Sequence, residues 1–324
     1  MTKTIHPELR TLGKVFKLLF RSKARSFRFY HWLSSLNTKA EIKGFVNETH
    51  WVDGRNGEHQ IRVRVYRPHD QTQALPVLLY LHGGGYAFNS PEGAHREISS
   101  FLSACPCVVV APDYTKSVKK PYPAAINDCE DTLDWLLLHA LQINVRTDKL
   151  IIGGHSAGGG LTLALMLRIR QRGDVAVAFQ MPIYPMIDHR SNTESASNND
   201  MPVWSTKHNK LAWELYLSGL DLRNKIPEDA APAGAEHYKG LPPAVSYVGD
   251  LDPFLDETKN MVEALKRDGV TVEFEIFEQC YHAFDLVAPD IEPSKSARRL
   301  MQRAFSDAIN KYTVPQPDAA SSPS

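Results

Sequence analysis

The chain carries no net charge, since 37 Lys and Arg balance 37 Asp and Glu over 324 residues. It therefore lacks the basic excess by which proteins hold nucleic-acid phosphates, and no nucleic-acid partner is expected. No apolar run approaches the roughly 20 residues that cross a bilayer, so no transmembrane segment is expected. The N-terminus has no apolar signal region with a cleavage site, which makes the cytoplasm the expected location. Cysteine is scarce: Cys105, Cys107, Cys129 and Cys280 show no metal-ligand spacing. Cys105-Pro106-Cys107 is not a C-x-x-C motif, and buried, reduced thiols are the expectation. Internal repeats are absent.

What is present is enough apolar sequence, 43%, to bury one large core. Residues 41–67 read as a hairpin around Gly54-Arg55-Asn56-Gly57, with Ile61, Val63 and Val65 alternating. Apolar strands then follow near 77–81, 107–112, 149–153, 176–184, 244–249 and 271–277. Helical patterns near 93–104, 123–140, 157–171, 257–268 and 294–311 separate them. This alternation predicts an α/β fold with a mostly parallel central sheet flanked by helices. A polar loop, Ser191 to Asp200, and an aromatic helix, Trp204 to Tyr216, interrupt the pattern within 186–238.

Before the hairpin, residues 7–36 read as two helices, with Leu9, Leu12, Phe16 and Leu19 on one face and Phe29, Trp32, Leu33 and Leu36 on another. Lys14, Lys17, Arg21, Lys23, Arg25 and Arg28 make this segment basic. A membrane-surface anchor is one reading, and packing on the domain is the commoner one. The final stretch, 313–324, is rich in Pro, Ala and Ser and is expected to be a disordered tail.

Two glycine runs carry the chemistry. Gly154-His155-Ser156-Ala157-Gly158 follows an apolar strand and precedes a helix, matching the G-x-S-x-G elbow that lifts a serine hydroxyl clear of the backbone. His82-Gly83-Gly84-Gly85-Tyr86 follows another strand. Neither run fits a phosphate-binding G-x-x-x-x-G-K-[ST] or G-x-G-x-x-G pattern. A serine needs a base, usually histidine, held by a carboxylate. In α/β-hydrolases these follow in the order serine, acid, histidine. Asp250, Asp252 and Asp256 lie just past the strand 244–249, where open α/β sheets place functional groups. His282 follows the next strand and is the base candidate. His82 and His155 precede the acid and read as structural or pocket-lining. Asp256 and Glu257 suit the first turn of the following helix.

These separated motifs, with Pro112-Asp113-Tyr114, Tyr122-Pro123-Ala124-Ala125, Asp252-Pro253 and His282-Ala283-Phe284, resemble the hormone-sensitive-lipase-like esterases of the α/β-hydrolase superfamily. The resemblance spans about Gly54 to Ala308. It implies Asp252 as the triad acid and the N–H groups of Gly84, Gly85 and Ala157 as the oxyanion hole, with Gly83 serving the turn. It also implies a helical cap of residues 1–40 and 186–238 over a core of 41–185 and 239–312. The chain departs from the family at His155, where Asp is common, at Thr115 to Lys120, and at Ala283. The implied activity is hydrolysis of short- to medium-chain acyl esters by a serine carboxylesterase, through an acyl-enzyme and without metal or organic cofactor. Amide cleavage by the same triad and a non-catalytic ligand receptor are the alternatives. Phe27, Phe29, Tyr30, Trp32, Trp204, Trp213 and Tyr216 could wall the acyl pocket or simply pack the core. Tyr86 and His155 border the site, and strand 271–277 would be a natural homodimer seam.

Overall fold

The computed structural model describes residues 4–19, 23–36, 38–57 and 59–317. Its strands are β1 (Val46–Asp53), β2 (Gln60–Arg67), β3 (Leu75–Leu81), β4 (Val108–Pro112), β5 (Val145–His155), β6 (Phe179–Ile183), β7 (Ala244–Gly249) and β8 (Val272–Phe277). The helices are α1 (Pro7–Leu19), α2 (Ala24–Ser35), α3 (His95–Ala104), α4 (Ala124–Leu138) and α5 (Ala157–Arg172). They continue with α6 (Glu194–Ser197), α7 (Thr206–Tyr216), α8 (Leu255–Arg267), α9 (Phe284–Val287) and α10 (Glu292–Lys311). Among the described residues the strands form one sheet, in the order β1-β2-β4-β3-β5-β6-β7-β8. The first two pairings, β1–β2 and β2–β4, are antiparallel and the rest parallel.

Strands buried on both faces have no need of polar alternation, which is why β4 reads Val-Val-Val-Ala-Pro and β3 is nearly all aliphatic. Val77, Leu79 and Leu81 of β3 face one layer, built with Leu133 of α4, Leu165 of α5 and Met261 of α8. Leu78 and Tyr80 face the other, against Phe101 of α3 and Phe305 of α10. The start of α5 comes so close to β3 that a Cβ on Gly158 would collide with the carbonyl oxygen of Leu81. Three consecutive glycines cost helix stability, but here they let the helix and strand backbones touch.

Several boundaries differ from the sequence reading. β5 begins four residues before the expected 149, after a register irregularity at Pro76/Val77. β6 starts at Phe179 rather than 176, because the Ala176 N–H donates to the Gln316 side chain instead of a neighbouring strand (3.0 Å). That contact corrects the tail as well. Val314 N–H donates to the Asp148 carbonyl at 2.8 Å, and the Gln316 amide donates to Thr147 and Ala176. Residues 313–317 are thus tied to the core, and 318–324 lie outside the described residues. The polar stretch from Ser191 to Asp200 is not wholly loop, since α6 forms there with Thr193 accepting from the Ala196 N–H. Cys105 is only half-buried, unlike the other three thiols.

Above the carboxyl ends of the strands lie α1, α2, α6 and α7. Phe27 of α2 is fully buried and stacks on Trp204 (5.9 Å) and His208 (6.4 Å), with Phe88 edge-on at 5.5 Å. Phe29 and Trp32, in contrast, are 53% and 54% exposed and wall no pocket. The close approach at α5 yields a prediction. Gly158→Val should destabilise the fold by about 1–3 kcal/mol, the usual cost of overpacking, and lower the urea midpoint. An unchanged midpoint would contradict the packing described.

Candidate active site

β5 ends at His155 and α5 begins at Ala157, so Ser156 makes the whole turn. Its backbone lies at φ 59°, ψ −122°, an unfavourable region for a side-chain-bearing residue. Neighbours hold it there. Ser156 N–H donates to the Ile183 carbonyl (3.0 Å), while its own carbonyl accepts from Gly160 (2.9 Å) and Met186 (3.1 Å). The hydroxyl is left pointing at His282.

β3 is the neighbour of β5 in the sheet, so the glycine run that follows β3 lands beside the elbow. A Cβ on Gly83 would lie 3.4 Å from that of Ser156. Gly84 and Gly85 adopt φ of 120° and 57°, which only glycine accepts without strain at the first and favours at the second. The Gly84 carbonyl accepts from Ala87 and Phe88, and no described carbonyl receives the N–H groups of Gly84, Gly85 or Ala157. Tyr86 ties the run to the segment after β6 and to α7: its hydroxyl donates to the Met186 carbonyl (2.6 Å), and its ring stacks on Tyr216 at 4.1 Å. Trp204 lies against Gly85, where any Cβ would collide with its ring.

Asp252 and His282 come from the ends of β7 and β8. His282 Nε2 is 2.9 Å from Ser156 Oγ, and His282 Nδ1 is 2.7 Å from Asp252 Oδ2. Asp252 is fixed by accepting the Phe254 N–H at 2.8 Å through its other oxygen. Tyr184, Phe254 and Trp204 surround the His282 ring at 5.0, 4.9 and 6.3 Å. Of the three aspartates weighed from sequence, only Asp252 reaches the imidazole. Asp250 accepts from the Cys280 N–H, and Asp256 accepts from Ser195. Glu257 is in the first turn of α8 as expected, yet its carboxylate reaches across to the segment after β6 by accepting the Ile187 N–H (2.8 Å).

The two histidines inside the glycine motifs, His82 and His155, are buried. His82 donates from Nδ1 to the Gly83 carbonyl and stacks on Tyr114 at 4.2 Å. Burial, then the nearby Lys116, pushes it down to about 3. Lys116 itself is buried, placed over the other aromatic contact of this column, Tyr114, at 4.2 Å and paired with Asp113 at 2.8 Å. His155 bonds the Tyr80 hydroxyl through Nδ1 (3.0 Å), and burial, then His282, pushes it down to about 3. Behind it lies a cluster that sequence reasoning missed. Asp285 accepts from the hydroxyls of Tyr184 and Tyr247, and burial raises its pKa and that of nearby Glu97, the latter to about 7. Their only sequence signal was proximity of Asp285 to His282. Among the described residues no three His, Cys, Asp or Glu side chains gather to hold a metal ion.

A mostly parallel sheet with serine, histidine and aspartate hydrogen-bonded in series at its carboxyl edge defines an α/β-hydrolase. A family model described as alpha/beta hydrolase fold matches residues 78–286, and the chain belongs to that family. It is 31% identical to "Esterase LipI" of Mycobacterium tuberculosis over 72% of this chain and 73% of that protein. With "Carboxylesterase NlhH" of the same organism the identity is 29%, over 79% and 82%. Among solved structures it is similar to "Bacterial Heroin Esterase", with a TM-score of 0.85, 27% identity and coverage of 94% and 98%. An esterase from Pyrobaculum calidifontis gives a TM-score of 0.81 at 26% identity, covering 94% and 99%.

The buried titratable groups predict a pH response with two opposing parts. An unfolded chain protonates His82 and His155 below the usual 6.5, whereas the folded chain resists until about 3. Unfolding therefore takes up protons, and their contribution to stability falls as pH drops through that window. Glu97 acts in the opposite sense: the folded carboxyl stays protonated up to about 7 and the unfolded one ionises above about 4.5, so its contribution is lost as pH rises between them. Glu97→Gln should accordingly gain stability relative to wild type as pH rises from about 4.5 to about 7. Urea midpoints measure this, and a pH-independent difference would contradict it.

Proposed function

We propose that this chain hydrolyses carboxylic esters through an acyl-serine intermediate, with Ser156 as nucleophile, His282 as general base and acid, and Asp252 as the group that orients the imidazole. The observation that carries the reading is the unbroken series Ser156 Oγ, His282 Nε2, His282 Nδ1, Asp252 Oδ2, at 2.9 and 2.7 Å. His282 Nε2 takes the hydroxyl proton as Oγ bonds to the ester carbonyl carbon. The N–H groups of Gly84, Gly85 and Ala157 receive the negative charge that develops on the carbonyl oxygen. Collapse breaks the bond to the alkoxide, which leaves with the proton from His282. Water, deprotonated by the same ring, then attacks the acyl-serine and releases the acid.

The relatives named esterase and carboxylesterase support ester bonds over amides. Trp204 supports short- to medium-chain acyl groups, because it stands over Gly85 and 6.3 Å from His282, shortening the space beside the serine. His82, Gly83, Tyr86 and His155 act as supports: they place the glycine run and the elbow without reaching the reacting atoms. Four cysteines free of disulfides accord with a cytoplasmic setting. A homodimer paired along β8 accords with that strand's place at the end of the sheet.

Kinetics on a short-chain nitrophenyl ester test the assignment. Ser156→Ala should reduce kcat on the order of 10⁶-fold, and Asp252→Asn on the order of 10⁴-fold, with urea midpoints near wild type. Retained turnover in Ser156→Ala would end the reading. A matched anilide should be cleaved far more slowly than the ester; equal rates would shift the assignment to an amidase.

A further inference from the structure

We propose that the outer face of α2, with the basic residues around it, docks on a lipid surface bearing anionic headgroups. The inner face of this helix is occupied by Phe27, fully buried on Trp204 and His208. On the opposite side Phe29, Trp32, Leu33 and Leu36 are 53%, 54%, 52% and 61% exposed. Their spacing, i, i+3, i+4 and i+7, makes one continuous apolar stripe, the pattern a helix normally turns toward a core. Here it faces outward. On α1, Val15 and Leu18 add 47% and 72% exposed aliphatic surface. Scattered apolar residues on a surface call for no explanation, whereas a contiguous stripe with aromatic members marks an interaction site.

Charge identifies the occupant. Between Lys3 and Lys43 the sequence holds ten Lys and Arg but only two acids, Glu8 and Glu41. Because the whole chain is neutral, the remaining residues carry 27 bases against 35 acids. The segment that carries the stripe is therefore the basic part of the sequence, with Lys17 paired to Asp200 at 2.9 Å. Lys14, Lys23, Arg25 and Arg28 are all exposed there. A second copy presenting the same face would bring like charges together. An anionic bilayer instead accepts both parts, taking aromatic and leucine side chains among its acyl chains and basic groups at its headgroups. The acidic remainder would be repelled, which fixes the orientation. Since Phe27 rests on Trp204, and Trp204 lies over Gly85, the docked face is also the roof of the serine site. Esters dissolved in the lipid would be delivered next to it.

Flotation of the full-length protein with vesicles tests this independently of any hydrolytic activity. The wild type should float with an equal mixture of phosphatidylcholine and phosphatidylglycerol and not with phosphatidylcholine alone, and high salt should release it. Phe29→Ser with Trp32→Ser should weaken binding at least about tenfold. Lys23→Glu with Arg25→Glu and Arg28→Glu should do the same. Both variants should keep wild-type urea midpoints. Absence of flotation, or equal flotation of the variants, would overturn the proposal. So would a concentration-dependent dimer that the Phe29/Trp32 variant abolishes, which would assign the stripe to a second copy.

Discussion

The backbone of one residue constrains the rest of the site. Ser156 is held at a positive φ by hydrogen bonds to Ile183, Gly160 and Met186, a conformation that costs of order 1–3 kcal/mol and persists only when its surroundings over-determine it. Those surroundings are the core itself. Gly158 must pass under the Leu81 carbonyl, which binds the elbow to the end of β3, the strand that launches the glycine run His82 to Tyr86. Asp252 and His282 follow from the ends of β7 and β8, two and three strands beyond β5 along the same edge. Four chain segments distant in sequence meet because the parallel sheet aligns their carboxyl ends.

Around this point the protein keeps polar groups neutral or paired. Burial lowers the basicity of His82 and His155, so both rings stay neutral within the fold. The Lys116, Tyr114 and His82 column places a buried lysine behind the glycine run, with Asp113 at 2.8 Å and burial lowering the lysine's pKa. Tyr184 links two parts of the site: it is edge-on to His282 and donates to Asp285. Aromatic pairs flank these groups, with Phe27 of α2 on Trp204 and Tyr86 on Tyr216 of α7.

Much of this was readable from the residues because the elbow needs small neighbours and the sheet needs unbroken apolar runs. Ser156 and His282 followed from motif and order, and Asp252 from family resemblance where chemistry alone left three aspartates open. The rest depended on distances that sequence does not encode. Asp256 and Glu257 satisfied the rule for acids at a helix start, but tertiary packing turned their carboxylates to the N–H groups of Ser195 and Ile187 instead. Gln316 lies in a composition typical of disorder, yet its amide fills hydrogen bonds that the loose edge before β6 leaves open. The periodicity of α2 correctly gave an amphipathic helix, and only the fold revealed that its aromatic stripe points outward.

The most direct test is the site of reaction with a fluorophosphonate, in which the attacking serine oxygen bonds to phosphorus and fluoride leaves. Peptide mass spectrometry of the labelled protein should find one adduct, on Ser156, and His282→Ala should slow its formation by orders of magnitude. An adduct elsewhere, or labelling of Ser156 at the same rate without the imidazole, would contradict the account.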